Sequence, residues 1–435
     1  MKNKIFQQLS RQLTRWLSVG VMVVFVVGAG NQDGPSMAIP EISQRINAFS
    51  FDLLKRQARG GQLPENLICS PQSIYHGLAM SYVASGGKTR AELAKALHFP
   101  EDNQVLLDDL GKLRKDLKSS GNRRGSEMNM ANALWFDERF AKFRPEYLKP
   151  VEKSFGASLE RIDFGDADGA SRRINAWVSK MTKGRIKESV EPGDFASRSR
   201  PGVIDEAALV AVNAVYFKSD WGSRFDKGAT RNRPFHVNGQ RQVEVPMMSQ
   251  SSMLLYAETD EFKWLELPYI GREYSMHVVM PKEVLGMGDL MQRLSLEKLT
   301  AMTRSAHPMN VDVWFPRFEL SSQVPADALL ADMGVKDAFN SSKADFDRMI
   351  VKTPEADRIY LSKIRHDAWI EVNEKGSEAA AATSTMHFSI GCSVSMPPRK
   401  VEFHADRPFV FLIVHNESRS VLFTGWVSNP VGLAK

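Results

Sequence analysis

Apolar residues recur with two rhythms along this chain, and the rhythm changes part-way. Ile42 to Leu54 repeats at helical spacing and predicts an amphipathic helix. Pro71-Gln72-Ser73-Ile74 predicts the start of a second helix, with proline suited to a first turn. Thr89-Arg90-Ala91-Glu92 reads as a capping box before a short helix ending near His98. Leu107 to Leu117 predicts another helix, ending in Lys112, Arg114, Lys115 and Lys118. Later, β-branched and aromatic runs predict strands at Met128–Trp135, Leu209–Phe217, Gln242–Met247, Trp264–Leu267, Ser275–Met280, Asn310–Phe315, Ala368–Val372 and Phe409–Val414. Helices first and strands later give an α+β order, not alternating βαβα units.

Between the last two strands, the stretch from Glu371 to Pro408 has no helical periodicity. Loops of that length in a compact domain are usually functional or disordered. It opens Glu374-Lys375-Gly376-Ser377-Glu378, continues through Ala379, Ala380, Ala381, Ala382 and Thr383, and has no proline before Pro397. Alanine loses little side-chain entropy on ordering. Read as a strand, one face carries Ser377, Ala379, Ala381, Thr383 and Thr385, all small and uncharged. The charge of Glu378 falls on the other face. The segment is therefore suited to leave solvent and enter a sheet above a core.

The net charge of +6 includes Lys2, Lys4, Arg11 and Arg15 at the N-terminus, and without them it is 6 − 4 = +2. Bulk charge thus gives no support to nucleic-acid binding. The basic start, the apolar stretch Trp16 to Val27 and the small residues Val27-Gly28-Ala29 predict a secretory signal over residues 1–29, or an uncleaved anchor. Residues 40–435 are then one domain of a secreted, extracellular or periplasmic protein. The two cysteines, Cys69 and Cys392, are read as free thiols, because a bridge would tether the loop that has to move.

Catalytic motifs fail on inspection. Gly86-Gly87-Lys88-Thr89 ends like a phosphate loop, but Tyr82 stands where the leading glycine belongs. There is no Gly-x-Ser-x-Gly elbow and no His-Glu-x-x-His. The chain is expected to be no enzyme and to need no cofactor or metal.

Many separate motifs, in order, resemble the serpin family. They include Asn66-Leu67-Ile68-Cys69-Ser70-Pro71-Gln72-Ser73-Ile74, Ile174-Asn175-Ala176-Trp177-Val178 with Gly184-Arg185-Ile186, and Val212-Asn213-Ala214-Val215-Tyr216-Phe217-Lys218 with Trp221. Ala405-Asp406-Arg407-Pro408-Phe409, Leu422-Phe423-Thr424-Gly425 and Asn429-Pro430 close the series. The resemblance implies three β-sheets, about nine helices and an exposed reactive-centre loop spanning about 374–400. It implies suicide inhibition, in which a protease forms an acyl-enzyme at the loop, which then inserts into the central sheet. A strand rises about 3.3 Å per residue, so some fourteen inserted residues would carry the protease on the order of 45 Å. It also implies a hinge at Glu374, Gly376, Ser377 and Ala379 to Thr383, a shutter of Ser70, Ser73, Asn213 and His366, and a breach at Trp221.

Counting from Glu374 by the family spacing puts the reactive bond at Ile390-Gly391. Counting back from Arg407-Pro408-Phe409 puts it at Val394-Ser395, so the loop is longer than typical. The hinge count is preferred because it sets the inserted length. No Lys or Arg lies between Lys375 and Arg399, so the expected partner is an elastase-, subtilisin- or chymotrypsin-like protease. Lys112, Arg114, Lys115, Lys118, Arg123 and Arg124 raise weak polyanion binding, against a solvated basic helix end. The protein is expected to be a monomer. The alternative is a non-inhibitory serpin acting as a binding or carrier protein, motivated by His387 on the inward face of the loop.

Overall fold

The computed structural model describes residues 39–59, 64–121, 125–137, 142–156, 158–195, 207–237, 241–352, 359–377 and 400–431. The first part is mostly helical: α1 (Glu41–Gln57), the short strand β1 (Asn66–Cys69), α2 (Pro71–Ala84), α3 (Gly87–Leu97) and α4 (Asn103–Gly121). Then come β2 (Ser126–Asp137), α5 (Pro145–Phe155), β3 (Ser158–Ile162), α6 (Ala167–Met181) and β4 (Ala207–Asp220). A run of strands follows: β5 (Arg231–His236), β6 (Gln242–Glu258), β7 (Phe262–Pro268) and β8 (Tyr274–Pro281). After α7 (Met287–Arg293) and α8 (Leu296–Ser305) lie β9 (His307–Pro316), β10 (Phe318–Pro325) and α9 (Ala326–Asp332). The end is β11 (Ile359–Val372), the two-residue β12 (Gly376–Ser377), β13 (Lys400–His404), β14 (Phe409–His415) and β15 (Ser420–Val427). Nine α-helices stand among the described residues, and the α+β order holds.

The central sheet runs β10-β11-β4-β2-β3, with β12 added beside β4. The other strands form one hydrogen-bonded path, β1-β15-β14-β8-β7-β6-β9-β13, with β5 on β6. The three expected sheets are thus two continuous ones here. The outer group of β5, β6, β9 and β13 joins the rest only where Tyr256, Ala257 and Glu258 pair with Leu265, Trp264 and Lys263. β6 is long enough to belong to both halves.

The main core lies between the central sheet and the larger one, with α2 inside it. All fourteen residues of α2 are buried, as expected of a helix without a polar stripe. A smaller core lies on the opposite face of the central sheet, where Ile174 and Val178 of α6 meet Trp135, Val210, Val212, Ala214 and Tyr216. Leu209, Ala211, Val215 and Phe217 of β4 face the main core instead. β4 is therefore buried on both sides.

The expected capping box is corrected. The third helix starts at Gly87, with Gly86 at its N-cap and no side-chain cap. Thr89 Oγ1 instead accepts from the Asp345 amide, and Glu92 accepts from the amides of Lys336 and Asp337 at 2.7 and 2.8 Å. The right chemistry is present, but it caps a neighbouring segment. The Gly86 amide donates to the Asp345 carbonyl and Lys88 pairs with Asp337, so these groups are already spoken for by the fold. Cys69 is a buried free thiol against Thr424.

Candidate functional site

At the centre of the sheet, β4 and β11 lie side by side and parallel, paired from Ala207↔Ile359 to Tyr216↔Trp369 with one register shift between Leu361 and Lys363. Parallel pairing is somewhat weaker per residue than antiparallel. Above Trp369 the two strands separate: β11 continues along β10 to Val372, while β4 continues along β2 to Ser219. The sheet therefore opens as a wedge at one end.

The chain turns back into that wedge. Asn373 and Gly376 exchange backbone hydrogen bonds of 2.9 and 3.2 Å, with Glu374 and Lys375 at the turn. Gly376 then pairs with Asp220 and Ser377 with Ser219, antiparallel to β4. Gly376 has φ of 151°, and a Cβ there would fall 2.2 Å from the Ser219 carbonyl oxygen. No other residue fits without moving β4. The loop is expected to begin outside the sheet; Gly376 and Ser377, near its start, are already part of it.

Trp221 sits beneath this turn, 2 % exposed. Its indole N–H donates to the Asn373 carbonyl at 2.9 Å and its amide to the Lys375 carbonyl at 2.8 Å. Its ring stacks on Tyr269 with centroids 4.5 Å apart. Glu374 is buried, accepting from Thr230 Oγ1 at 2.8 Å and lying 3.6 Å from the Arg317 guanidinium. A buried carboxylate needs such partners, so Glu374 fixes the base of the loop. Thr230, Tyr269 and Arg317 carry no sequence signal of this role, since their neighbours lie far away in the chain.

Lower down, Ser70, Ser73, Asn213 and His366 come together, and Asn132 joins them. His366 and Asn213 are opposite one another in the β11–β4 pairing. His366 Nε2 accepts from the Ser70 amide at 2.8 Å. Ser70 caps α2 through the Ser73 amide and donates its hydroxyl to the Leu422 carbonyl. The Ser73 hydroxyl and the Asn213 amide both donate to Asn132 Oδ1, each at 2.8 Å. A Cβ on Gly77 would lie 2.3 Å from Asn213 Nδ2, so only glycine lets α2 approach so closely. Burial pushes the His366 imidazole down to about 3, so it stays neutral, and the Nε2 acceptor role leaves its proton on Nδ1. Among the described residues, His366 Nδ1 and Asn213 Oδ1 have no hydrogen-bond partner. Asn132 was missed in sequence, although a lone asparagine within Met130-Ala131-Asn132-Ala133-Leu134-Trp135 is a polar residue in a buried run.

Against known proteins, the serpin (serine protease inhibitor) family matches residues 44–430. The chain belongs to the serpin family. It is 37 % identical over 401 residues to the human leukocyte elastase inhibitor, covering 90 % of this chain and all of that one. Uncleaved ovalbumin superposes with a TM-score of 0.76 at 29 % identity, covering 90 % of this chain and 100 % of that one. Human thyroxine-binding globulin, solved with its hormone, gives 0.75 at 25 %, covering 90 % and 98 %.

One feature of this serpin extends along the outer face of the opening strands. Residues 363, 365, 367, 369 and 371 of β11 alternate onto that face, and the segment following α6 grips each of them. Arg185 lies over the Trp369 ring at 4.4 Å and 4.0 Å from Glu371. Ser189 donates to the Asp367 carboxylate. Asp194 holds Lys363 and Arg365 at 2.6 and 2.8 Å. Burial raises Asp367 to about 6, and the two cations hold Asp194 low against its own desolvation. α6 itself packs on β2 and β4, so helix and strap together span the β4–β11 seam.

Ala379 to Thr383, both reactive-bond placements (Ile390-Gly391 and Val394-Ser395), His387, Cys392 and residues 1–29 lie outside the described residues. So do Arg123 and Arg124.

Proposed function

We propose that this serpin inhibits a serine protease by suicide cleavage, acyl-enzyme trapping and insertion of its loop between β4 and β11. The observation that carries this reading is the antiparallel pairing of Gly376 and Ser377 with β4 at the mouth of the wedge. A strand continuing from there would replace one parallel interface with two antiparallel ones. Some fourteen added residues, at about 1 kcal/mol net per backbone hydrogen bond, would supply on the order of 10 kcal/mol. That drives a large displacement without any external energy source. The hinge is Glu374, Gly376, Ser377 and Ala379 to Thr383, and the reactive bond is Ile390-Gly391, with Val394-Ser395 as the second placement.

The apolar residues at either bond suit an elastase-, subtilisin- or chymotrypsin-like target, and the elastase inhibitor among the relatives supports that choice. The basic and apolar pattern of residues 1–29 supports export. Among the described residues no helix is long and apolar enough to cross a membrane. The inhibitor is proposed to act as a monomer without cofactor.

Incubation with such proteases is expected to give a complex that survives boiling in detergent. Mass spectrometry of the released peptide then fixes the cut bond. Loop cleavage by a protease that escapes trapping should raise the melting temperature by about 10 °C, since on the order of 10 kcal/mol gives that shift in a chain whose unfolding entropy is about 2.1 cal/mol/K per residue. Cleavage across a broad panel with neither complex nor gain in stability would reject inhibition and favour a carrier role. The likeness to thyroxine-binding globulin gives that second reading its place.

A further inference from the structure

A cavity of about 660 Å³ opens where the end of α2 and the starts of α4 and α5 meet the segment that precedes β11. A short backbone ladder joins α5 to that segment. Phe143 bridges Ile350, and the Arg144 amide donates to the Met349 carbonyl at 3.0 Å. Arg144 Nε donates to the Ile350 carbonyl at 2.8 Å, and Arg144 and Arg348 both line the cavity. Asp347, also in the lining, is taken by Lys352 at 2.7 Å. Among the described residues, neither Arg144 nor Arg348 pairs with a carboxylate, and Glu146 in the same lining pairs with no cation. Two guanidiniums against one free carboxylate leave 2 − 1 = +1 in the lining.

The rest of the lining is of two kinds. Val83, Leu107 and Tyr147 are buried and give it an apolar wall. Asn103, at the start of α4, adds one polar group. Its Nδ2 donates to the Val83 carbonyl at 2.9 Å, and that carbonyl fixes which way the amide faces. The free atom is therefore the acceptor Oδ1, which is buried and has no hydrogen-bond partner among the described residues. A buried acceptor left without a donor is rare in a folded chain. Unpaired cations and a vacant acceptor in one cavity fit a molecule that carries both an anion and a donor on an apolar body. The volume lies within the usual ligand range of roughly 300–1,000 Å³.

We propose that this cavity binds a hydroxylated aromatic monocarboxylate. Arg144 and Arg348 hold the carboxylate, the hydroxyl donates to Asn103 Oδ1, and the ring lies against Val83, Leu107 and Tyr147. One negative charge matches the excess in the lining, whereas Glu146 opposes a second. A long polyanion is the poorer fit for the same reason. Lys112 of α4 and Lys149 of α5 are exposed and stand outside the lining. This inference does not rest on the inhibitory reading, and its test requires no protease.

Calorimetric titration of the full chain with 4-hydroxycinnamate should show saturable, one-to-one binding. Cinnamate, which lacks the hydroxyl, and 4-hydroxycinnamyl alcohol, which lacks the charge, should each bind about tenfold more weakly. Arg348→Gln should weaken 4-hydroxycinnamate about tenfold. Asn103→Ala should erase its advantage over cinnamate, and Glu146→Gln should tighten it severalfold by removing the opposing charge. Lys112→Gln and Lys149→Gln should leave the affinity unchanged. Circular dichroism checks that each variant is folded, and Arg144 is kept because its Nε supports the ladder. Absence of saturable binding overturns the proposal. So does unchanged affinity in Arg348→Gln, or equal binding of cinnamate and 4-hydroxycinnamate by the natural chain. A loss of affinity only in the Lys112 and Lys149 variants also overturns it, by moving the anion to the outer surface.

Discussion

Replacing Ser377 by arginine should turn this serpin from an inhibitor into a substrate. Position 377 lies opposite Ser219, and directly opposed residues in a sheet share a face. Ser219 is fully buried, its hydroxyl 2.6 Å from that of Ser126. An arginine here has to place its charge among those hydroxyls without a carboxylate, at a cost of several kcal/mol. The uncut protein escapes that cost by releasing a two-residue strand, so the fold persists. The cut protein cannot insert without passing this point. Insertion slows while deacylation does not, and each encounter releases active protease. Titrating protease against inhibitor should show the stoichiometry rising at least tenfold for Ser377→Arg and much less for Glu378→Arg, which strand alternation would turn the other way on insertion. Equal, unchanged stoichiometry in both variants would remove this segment from the inserting strand.

Acid should unfold this protein early, through four histidines held neutral by burial. His277 and His366 are pushed down to about 3, and His76 and His415 to about 4. The unfolded chain takes up their protons near pH 6.5, while the folded chain does not. Between that value and the folded ones the unfolded state binds more protons, so stability falls as pH falls. At pH 5 each histidine contributes a loss of about 2 kcal/mol at 1.4 kcal/mol per unit. Asp367, raised to about 6, acts in the opposite sense, because acid relieves its buried charge. Glu266, also raised by burial, adds to that relief. Asp109, raised by burial too, is the third such carboxylate. Four imidazoles against three carboxylates still leave a net loss of several kcal/mol, a large share of the roughly 5–15 kcal/mol typical of folded domains. Urea titrations should show a clearly lower midpoint at pH 5 than at pH 7.5. Coincident midpoints would mean that these imidazoles titrate normally.

The sequence made the strands and the meeting of Ser70, Ser73, Asn213 and His366 legible, because each lies in a motif with a strong local pattern. Its strand ends were short: β11 begins at Ile359, not Ala368, since Tyr360-Leu361-Ser362-Lys363-Ile364-Arg365 mixes charges into a buried strand. Those charges are satisfied by the strap from α6, a partner no local window contains. The caps supplied by Thr89 and Glu92 were legible as chemistry but not as connections. The two-residue strand Gly376–Ser377 was illegible for a simpler reason. Two residues carry no period, and only the Cβ-excluding approach to Ser219 reveals why glycine stands there.

That short strand also sets an arithmetic for everything behind it. With Gly376 against Asp220 and Ser377 against Ser219, the paired numbers sum to 596, so an advancing strand would set 379 against Phe217, 381 against Val215 and 383 against Asn213. Odd positions then meet the main core and even ones the α6 side. Thr383 arrives where Asn213 Oδ1 and His366 Nδ1 stand without partners, and a hydroxyl can serve both at once. One alanine added between Ala381 and Ala382 reverses the parity, sending Thr383 to the wrong side. Two restore the parity but leave an alanine at the vacant pair of atoms. Melting temperatures after loop cleavage should therefore rank the natural chain first, the double insertion second and the single insertion last. Any other order would mean that the first two residues do not dictate the phase of those that follow.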